Sequence, residues 1–306
     1  MKKMSDEIAK GLRYISDKDY RTIINANLGL YDHLPDNKYL KKIYQAHFHE
    51  NLDLNEPQTF NEKLQWLKLY NRKPEYTVMV DKYKVREYIA KTLGEEYLIP
   101  LIGVWDDPDE IDFDALPDQF VLKCNHNSGL GMCICKDKSK LDIPKVKAEL
   151  RKGLKQDYYL TGREWPYKDV PRKIICEKYM EDSTTAELRD YKIYTFNGKP
   201  EFCMINQDRG VHTRADYFDR NYKWLDFSWG PDHADTLPQK PKNYELMYQF
   251  AERLAAGTVV LRVDFYEVDG RLYFGELTFF DGSGFDKIEP VEWDYKLGGM
   301  VRLPER

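Results

Sequence analysis

The chain has 306 residues, of which 42% are hydrophobic and 32% charged, a composition typical of a folded protein with a sizeable core. Its 47 basic and 52 acidic residues leave a net charge of −5, so no overall basic field favours nucleic acid or an anionic membrane surface. No apolar run reaches the roughly 18 residues that a membrane-spanning helix needs, and the N-terminus lacks the apolar run of a secretory signal. We therefore expect a cytoplasmic protein with no nucleic-acid partner and no integral membrane segment.

Helical spacing of apolar residues predicts helices in the first stretch of the chain, to about residue 70. A further helix is predicted at 80–93, where Gly94 ends it. Short apolar runs then predict strands at 98–104, 120–124, 132–135 and 174–177, with a helix at 144–156. Later strands are predicted at 191–196, 201–205, 259–267 and 272–280. One further helix is predicted at 244–256. Strands and helices do not alternate strictly, which indicates an α+β fold.

A glycine-rich loop at 125–131 lies between two apolar runs that predict a hairpin. Gly129 and Gly131 tolerate backbone angles that other residues resist, so the loop is able to turn its amides towards an anion. Lys123 lies on the strand just before the loop, where its ammonium group would meet a phosphate. The segment is not a Walker-type loop followed by a helix, so a flexible hairpin with a surface lysine is the alternative.

The C-terminal hairpin turns at Asp269-Gly270 and carries charged residues on both strands. A two-residue loop would place Asp264 and Glu276 on opposite faces. We expect a three-residue loop, which pairs Arg262 with Glu276 and places Asp264 beside them. The shared face is then a candidate site for a phosphate-bound Mg²⁺, with an Arg262–Glu276 ion pair and a solvated Asp264 as the alternative.

A strand that ends in Glu177 runs into a polar linker, a pattern typical of a hinge between two lobes. Its backbone would read an adenine edge, with Tyr179 and Met180 beside the ring. Asp190 and Lys192 alternate on the following strand and so share a face. A solvated pair on a surface strand is the alternative.

A polar stretch at 206–217 follows the next predicted strand and carries Arg209, His212 and Arg214. These residues are candidates to meet an anionic substrate or the terminal phosphate, and Arg214 is the catalytic candidate among them. A solvated loop is the alternative.

The order of these segments resembles that of the ATP-grasp ligases, of which D-alanine–D-alanine ligase is a familiar example. Closer still, the chain resembles the TupA-like ATP-grasp family, which is associated with teichuronopeptide and other cell-surface polysaccharide synthesis. Four segments between about residue 50 and the C-terminus carry this resemblance: FNEKLQWLK at 60–68, DQFVLKCNH at 118–126, GREWPY at 162–167 and GELTF at 275–279.

The resemblance implies an ATP-grasp fold, in which two α+β lobes grip ATP, with ATP and Mg²⁺ as cofactors. It implies residues that bind the phosphates, the adenine and the ribose. The phosphates would be bound by Lys82 and Lys123 with the loop residues Asn125, Ser128, Gly129 and Gly131. The adenine would be bound by Glu177, Lys178, Tyr179 and Met180, and the ribose by Asp190.

The resemblance also implies the groups that act on the terminal phosphates and on the metal. Lys192 and Arg262 would hold the terminal phosphates, and Asp264 and Glu276 would bind Mg²⁺. Thr278 stands where these ligases usually have an asparagine as a further ligand. A hydroxyl is a poorer ligand, so the number of bound metal ions stays open.

The expected organisation is a helical N-terminal region at 1–72, an N-lobe with the phosphate hairpin at 73–178 and a C-lobe with the metal-binding hairpin at 179–306. The helical region differs from the Rossmann-like lobe that commonly precedes the grasp. The identity of the substrate therefore does not follow from the better-known ligases.

The activity that the resemblance implies is ATP-dependent joining of a carboxylate to an amine through an acyl phosphate. The acceptor would be a uronic-acid carboxylate of a cell-surface polysaccharide or its precursor, and the donor an amino acid or amine. Association with polysaccharide-assembly enzymes is compatible with this setting. Two alternatives stay open: a kinase that phosphorylates a sugar hydroxyl, and a glycosyltransferase, which would often need an acidic metal site after a strand. Asp107-Pro-Asp109 follows a strand, but its proline and acidic neighbours favour a surface loop.

Overall fold

The computed structural model describes residues 2–183, 188–207 and 213–305. The chain divides into two compact units. Unit 1 contains Met1–Arg72, Tyr159–Trp165 and Phe280–Arg306, and unit 2 contains Lys73–Tyr158 and Pro166–Phe279. The residues of the predicted helical region all lie in unit 1, whereas most of both predicted lobes lies in unit 2. Residues 280–306, which the sequence analysis assigned to the C-lobe, belong to unit 1.

The described residues form ten α-helices, none of which is long and apolar enough to cross a membrane. They are α1 (Lys2–Ser16), α2 (Lys18–Asn27), α3 (Asp36–Phe48), α4 (Phe60–Tyr70), α5 (Pro74–Val80), α6 (Val85–Thr92), α7 (Ile143–Lys155), α8 (Tyr158–Gly162), α9 (Tyr244–Leu254) and α10 (Val291–Met300). Short 3₁₀ turns occur at Glu95–Tyr97, Pro108–Glu110, Lys138–Lys140, Trp165–Tyr167 and Asp281–Gly284.

The strands of the described residues lie mostly in two antiparallel sheets, which confirms the predicted α+β class. They are β1 (Leu101–Trp105), β2 (Phe120–Cys124), β3 (Met132–Cys135), β4 (Ile174–Lys178), β5 (Asp190–Phe196), β6 (Lys199–Gln207), β7 (Arg214–Asp219), β8 (Ser228–Trp229), β9 (Val260–Val268), β10 (Arg271–Thr278) and β11 (Ile288–Glu289).

The helix predicted at 80–93 begins only at Val85, as α6, and a turn at Asp81 separates it from α5, which the sequence analysis does not predict. The Asp81 carboxylate accepts hydrogen bonds from the backbone amides of Tyr83 (2.8 Å) and Lys84 (3.2 Å). These amides belong to the turn that leads into α6, and the extended backbone of Asp81 ends α5. The turn places Lys82 outside both helices.

Helix α4 holds the separate segments of unit 1 together. It begins with a capping box, in which Thr59 and Glu62 satisfy each other's backbone amides. At its other end the fully buried Lys68 donates hydrogen bonds to the backbone carbonyls of Gly162 and Ser283, both at 2.7 Å. A buried ammonium group that satisfies carbonyls from two distant segments fixes those segments to the helix.

The smaller sheet of unit 2, which we call sheet A, has the strand order β1-β4-β2-β3. Alternation along the strands gives it two different faces. One face packs against α7 through buried residues such as Phe120, Leu122 and Leu150. Lys123 and Glu177 lie on the other face, because their positions alternate with those buried residues.

The larger sheet of unit 2, sheet B, has the strand order β10-β9-β5-β6-β7. Helix α9 covers one of its faces, where Phe250 packs against Phe265. On the opposite face Lys192 is paired in register with Asp264 of the neighbouring strand. Arg262 lies on that same face, two residues from Asp264.

The β9–β10 hairpin corrects the predicted loop length. Val268 pairs directly with Arg271, so the loop is the two-residue turn Asp269-Gly270, and both of its residues have positive φ. A β-bulge between Phe274 and Leu277 then places two residues of β10 opposite one of β9. The extra residue moves Glu276 to the face of Asp264. Arg262, Asp264 and Glu276 therefore share one face as expected, but the bulge causes this and not a three-residue loop.

Strand β7 and helix α10 are absent from the sequence-based expectations. Charged residues interrupt the apolar pattern of β7 at both of its ends and at Asp216. Asp216 is nevertheless fully buried, because His233 (3.0 Å) and the Trp224 indole (3.3 Å) contact its carboxylate. The partners that permit this burial come from a later part of the chain, which a local pattern does not reveal.

The close packing of α7 against the glycine-rich loop generates a stability prediction. A Cβ at Gly153 would lie 2.6 Å from the Gly131 Cα and 2.7 Å from the Cys124 Sγ. We expect Gly153→Ala to lower the free energy of unfolding by about 1–3 kcal/mol, as overpacking does elsewhere. The control Lys152→Ala, at an exposed neighbouring position, should change it by less than about 0.5 kcal/mol. Equal urea midpoints for the two variants would contradict this packing.

Candidate functional site

Asn125 fixes the start of the glycine-rich loop. Its side-chain amide donates hydrogen bonds to the Asp81 carboxylate (2.7 Å) and to the Pro171 carbonyl (2.9 Å), and its side-chain oxygen accepts one from the Lys173 amide (2.7 Å). Asn125 is buried, and its side chain is committed to these three partners. Its contribution to the site is therefore to hold the loop against the turn before α6.

Lys82 is attached to the same loop. Its backbone amide donates to the Asn125 carbonyl (3.2 Å), and its Nζ donates to the Asn127 carbonyl (2.6 Å). Beyond these contacts Ser128 and Gly129 are exposed at the loop tip. Gly129 and Gly131 both have positive φ, as the glycine pattern predicts. The loop therefore has a fixed base, where Lys82 lies, and an exposed tip.

Lys123 lies on the open face of sheet A in a short ion pair with Glu177, with 2.6 Å between Nζ and Oε2. The other carboxylate oxygen of Glu177 lies 3.3 Å from Nη1 of Arg86. Arg86 is absent from the sequence-based candidates. No local spacing marks it, because Lys82, four residues earlier, lies outside α6.

An exposed apolar strip adjoins Lys123 on the same face. Met132 pairs in register with Lys123, and Ile134 with Val121. The side chains of Met132 and Ile134 are 48% and 54% exposed, which is unusual for strand residues of this size. A flat apolar ring would cover this strip while its charged substituents reached Lys123.

The end of β4 borders a cavity of about 370 Å³. The hinge residues Lys178, Tyr179 and Met180 line one side of it, and the β9–β10 hairpin lines the other. The backbone amide of Asp269, at the hairpin turn, donates to the Asp182 carboxylate (2.8 Å). The hinge is thus fixed against the hairpin, and the cavity between them has defined walls.

On sheet B, the Asp264 carboxylate is almost fully buried and paired with two cations. Arg262 donates from Nε to one oxygen (2.7 Å) and from Nη2 to the other (2.8 Å). Lys192 Nζ lies 2.5 Å from the second oxygen. The same Arg262 Nη2 is 2.8 Å from Glu276, and Thr278 Oγ1 is 3.3 Å from that Glu276 oxygen. Arg262 therefore bridges the two carboxylates.

The electrostatic environment differs between the two carboxylates. Burial by itself would raise the pKa of Glu276, but Lys82 and then Arg262 outweigh it and lower the pKa to about 2. Burial dominates at Asp264 and raises the pKa of its carboxyl, although Arg262 and Lys192 act in the opposite direction. At Lys192 burial would lower the pKa, but the Asp264 charge outweighs it and raises the pKa.

Residues of the two sheets meet in one cluster of charges. The Nζ of Lys82 lies 3.9 Å from Glu276 Oε2, and the charge of Lys123 also lowers the pKa of Glu276. The cluster contains eight of the expected or newly identified site residues: Lys82, Arg86, Lys123, Glu177, Lys192, Arg262, Asp264 and Glu276. It contains five cations and three carboxylates, so an anionic ligand is the one that would complete it.

Two further candidates lie at different positions relative to this cluster. Asp190 is buried at the start of β5, 3.6 Å from Lys192 Nζ. Arg214 pairs in register with Gln207, which places it on the face opposite Lys192, and it forms an ion pair with Asp232 (3.3 Å). The structure therefore places Asp190 at the edge of the cluster, as a fourth carboxylate beside its five cations, and leaves Arg214 outside it. Arg209 and His212 lie outside the described residues.

The donor chemistry at the hairpin fits a divalent cation. Within residues 2–183, 188–207 and 213–305, no three His, Cys, Asp or Glu side chains converge as a metal site. Asp264 and Glu276 nevertheless supply hard carboxylate oxygens on one face, and the Thr278 hydroxyl lies beside them. They would hold Mg²⁺ once Arg262 and Lys192 turned to a phosphate that supplied the remaining oxygens.

The acidic pair proposed for a glycosyltransferase has structural partners. Asp107 caps the 3₁₀ turn that follows β1, where it accepts a hydrogen bond from the Asp109 amide (2.8 Å). Asp109 forms ion pairs with Lys147 (3.1 Å) and with Arg151. These contacts favour the interpretation of this segment as a surface loop.

Comparison with solved structures returns ATP-grasp proteins of low identity. The D-alanine–D-alanine ligase of Helicobacter pylori is 14% identical over 79% of this chain and 69% of that chain, with a TM-score of 0.44. The Bacillus anthracis enzyme complexed with ATP is 19% identical over 66% and 55%, with a TM-score of 0.40. The N5-carboxyaminoimidazole synthase of Aspergillus clavatus is 13% identical over 75% and 52%, with a TM-score of 0.41. The chain thus spans little more than half the length of the last two.

A search of curated proteins found no significant match. The family assignment rests instead on a family model described as TupA-like ATP-grasp, which matches residues 62–302, well over half of the chain. This match includes both sheets of unit 2 and confirms the predicted ATP-grasp fold. The chain therefore belongs to the TupA-like ATP-grasp family.

Proposed function

We propose that this chain is an ATP-dependent ligase that joins a carboxylate to an amine. The observation that carries the proposal is the single charge cluster, in which Lys82 from the sheet A side lies 3.9 Å from Glu276 of sheet B. Cations that hold phosphates and carboxylates that hold a metal are the two components that phosphoryl transfer requires. One triphosphate would engage both.

ATP would bind across the two sheets of unit 2. The exposed strip of Met132 and Ile134 offers an apolar surface for adenine. The hinge residues Lys178, Tyr179 and Met180 line the cavity at the end of β4. Asp190 would reach the ribose. The phosphates would then extend towards the cations of the cluster, Lys82, Lys123, Lys192 and Arg262, beneath the loop tip at Ser128 and Gly129.

Mg²⁺ would bind between the phosphates and the carboxylates of Asp264 and Glu276. When bound, the metal neutralises charge on the phosphates and polarises the transferred group. Thr278 would contribute at most one hydroxyl ligand, so we propose that phosphate oxygens and water complete the coordination. Binding requires Arg262 and Lys192 to exchange a carboxylate partner for a phosphate partner.

The chemistry needs positioning and charge neutralisation from this chain. A substrate carboxylate oxygen attacks the γ-phosphorus, the bond to the β–γ bridging oxygen breaks, and ADP leaves. The amine then attacks the acyl carbon, and inorganic phosphate departs with the electron pair of the C–O bond as the nitrogen loses a proton. Arg262 is the group best suited to follow the transferred phosphate, because a guanidinium engages two oxygens at once.

The substrates are proposed from the family resemblance. The acceptor would be a uronic-acid carboxylate of a cell-surface polysaccharide or its precursor, and the donor an amino acid or other amine. A kinase acting on a sugar hydroxyl would use the same nucleotide site. The requirement for an amine distinguishes the two reactions.

An ADP-release screen tests the proposed reaction. Purified protein with ATP and Mg²⁺ is offered uronic acids and amino acids, singly and in pairs. We expect ADP release well above background only when an acid and an amine are both present, because the acyl phosphate accumulates on the protein until an amine consumes it. Sustained release with a sugar alone would identify a kinase and reject the ligase.

Replacement of Arg262 tests its proposed role in phosphoryl transfer. We expect Arg262→Ala to lower kcat by about 10²-fold or more, as loss of a transition-state donor does in other enzymes. The control Arg253→Ala, at an exposed position of α9, should keep kcat near the wild-type value. Near-normal turnover of Arg262→Ala, measured by coupled ADP detection, would reject the role.

Metal binding should depend on the nucleotide, because both carboxylates are already paired with cations. We expect Mn²⁺, followed by electron paramagnetic resonance, to bind at least about tenfold more tightly when ATP is present, a coupling of ordinary size. Glu276→Gln should weaken the ATP-dependent binding, and the exposed Glu292→Gln should not. Equally tight Mn²⁺ binding with and without ATP would contradict the proposed exchange of partners.

A further inference from the structure

We infer that Arg86 is a positioning residue that frees Lys123 to bind phosphate. The inference rests on the proposed function, because it assigns Lys123 to the phosphates of ATP. Arg86 would not touch the nucleotide itself. It would act through Glu177, the carboxylate that it shares with Lys123.

The geometry gives Glu177 two cationic partners on different oxygens. Arg86 Nη1 lies 3.3 Å from Oε1, and Lys123 Nζ lies 2.6 Å from Oε2. A second contact fixes the position of Arg86, because its Nη2 donates a hydrogen bond to the Ile99 carbonyl at 2.9 Å. The guanidinium therefore connects α6, the segment before β1 and the carboxylate on β4.

Burial makes this second partner necessary. The side chain of Glu177 is only 9% exposed, and a buried carboxylate without a partner costs several kcal/mol. With Lys123 as its single partner, Glu177 would hold that lysine, because each movement of the ammonium towards a phosphate would leave the carboxylate unpaired. Arg86 removes this cost, since Glu177 keeps one cation when Lys123 turns away.

The charges of the neighbouring groups agree with this division of roles. Lys82 belongs to the same cluster, but its Nζ donates to the Asn127 carbonyl (2.6 Å) and lies 3.9 Å from Glu276, so it does not replace Lys123 at Glu177. Arg86 stays charged at every physiological pH. It is therefore the permanent partner of Glu177, and Lys123 is the exchangeable one.

Isothermal titration calorimetry that compares the binding of ATP with that of adenosine tests the inference. We expect Arg86→Met to raise the Kd of ATP about tenfold or more, the size of a lost charge-assisted interaction, and to leave the Kd of adenosine within about twofold. Arg86→Lys keeps the charge and should bind ATP nearly as well as the wild type. The control Lys91→Met alters an exposed pair on the same helix and should change neither affinity.

A second substitution separates positioning from simple structural support. In the double variant Arg86→Met with Glu177→Gln, no buried carboxylate remains to retain Lys123, so ATP affinity should recover to that of the single variant Glu177→Gln. Unchanged ATP binding in Arg86→Met, equal loss of adenosine binding, or no recovery in the double variant would overturn the inference. A wild-type protein that binds no ATP would reject the proposed function and the inference together.

Discussion

The pairing of buried opposite charges is the constraint on which the rest of the site depends. Cations and carboxylates of unit 2 share a poorly hydrated region, where an unpaired charge is costly. In the free protein they satisfy each other, as Arg262 and Lys192 do for Asp264. In the proposed function, a metal–triphosphate complex would bring a new partner for the exchangeable cations and one for the metal-binding carboxylates, and the Arg86–Glu177 pair would persist.

A side-chain contact, a β-bulge and a glycine bring these charged groups together. The Asp81–Asn125 contact holds Lys82 against the glycine-rich loop. The bulge after Phe274 rotates Glu276 onto the face of Asp264. A Cβ at Gly275, next to that bulge, would lie 3.0 Å from the Asp264 carbonyl oxygen, so the close approach of the two strands favours glycine there. The bulge and the glycine act within a few residues, whereas the Asp81–Asn125 contact joins residues 44 apart. Together they set distances between elements that are far apart in sequence.

Much of this arrangement follows from the sequence, and the remainder depends on contacts between distant segments. Apolar periodicity locates most strands within a few residues, because burial on one face or on both leaves a local pattern. Hairpin register is different, since a bulge leaves no comparable signature and shifts every later side chain by one position. The sequence does not predict a role for Arg86 for a similar reason, because that role depends on its ion pair with Glu177, ninety-one residues later. The apolar pattern does not predict strand β7, because the residues that allow Asp216 to be buried come later in the chain.

The most direct test of the central claim is a crystal structure with Mg²⁺ and a non-hydrolysable ATP analogue. We expect one triphosphate between the two sheets, with the Lys82 and Lys123 amines on phosphate oxygens and Asp264 and Glu276 on the metal. Arg262 should have moved from Asp264 to the terminal phosphate. A nucleotide bound elsewhere on the chain, or a bound triphosphate with the Arg262–Asp264 pair intact, would contradict it.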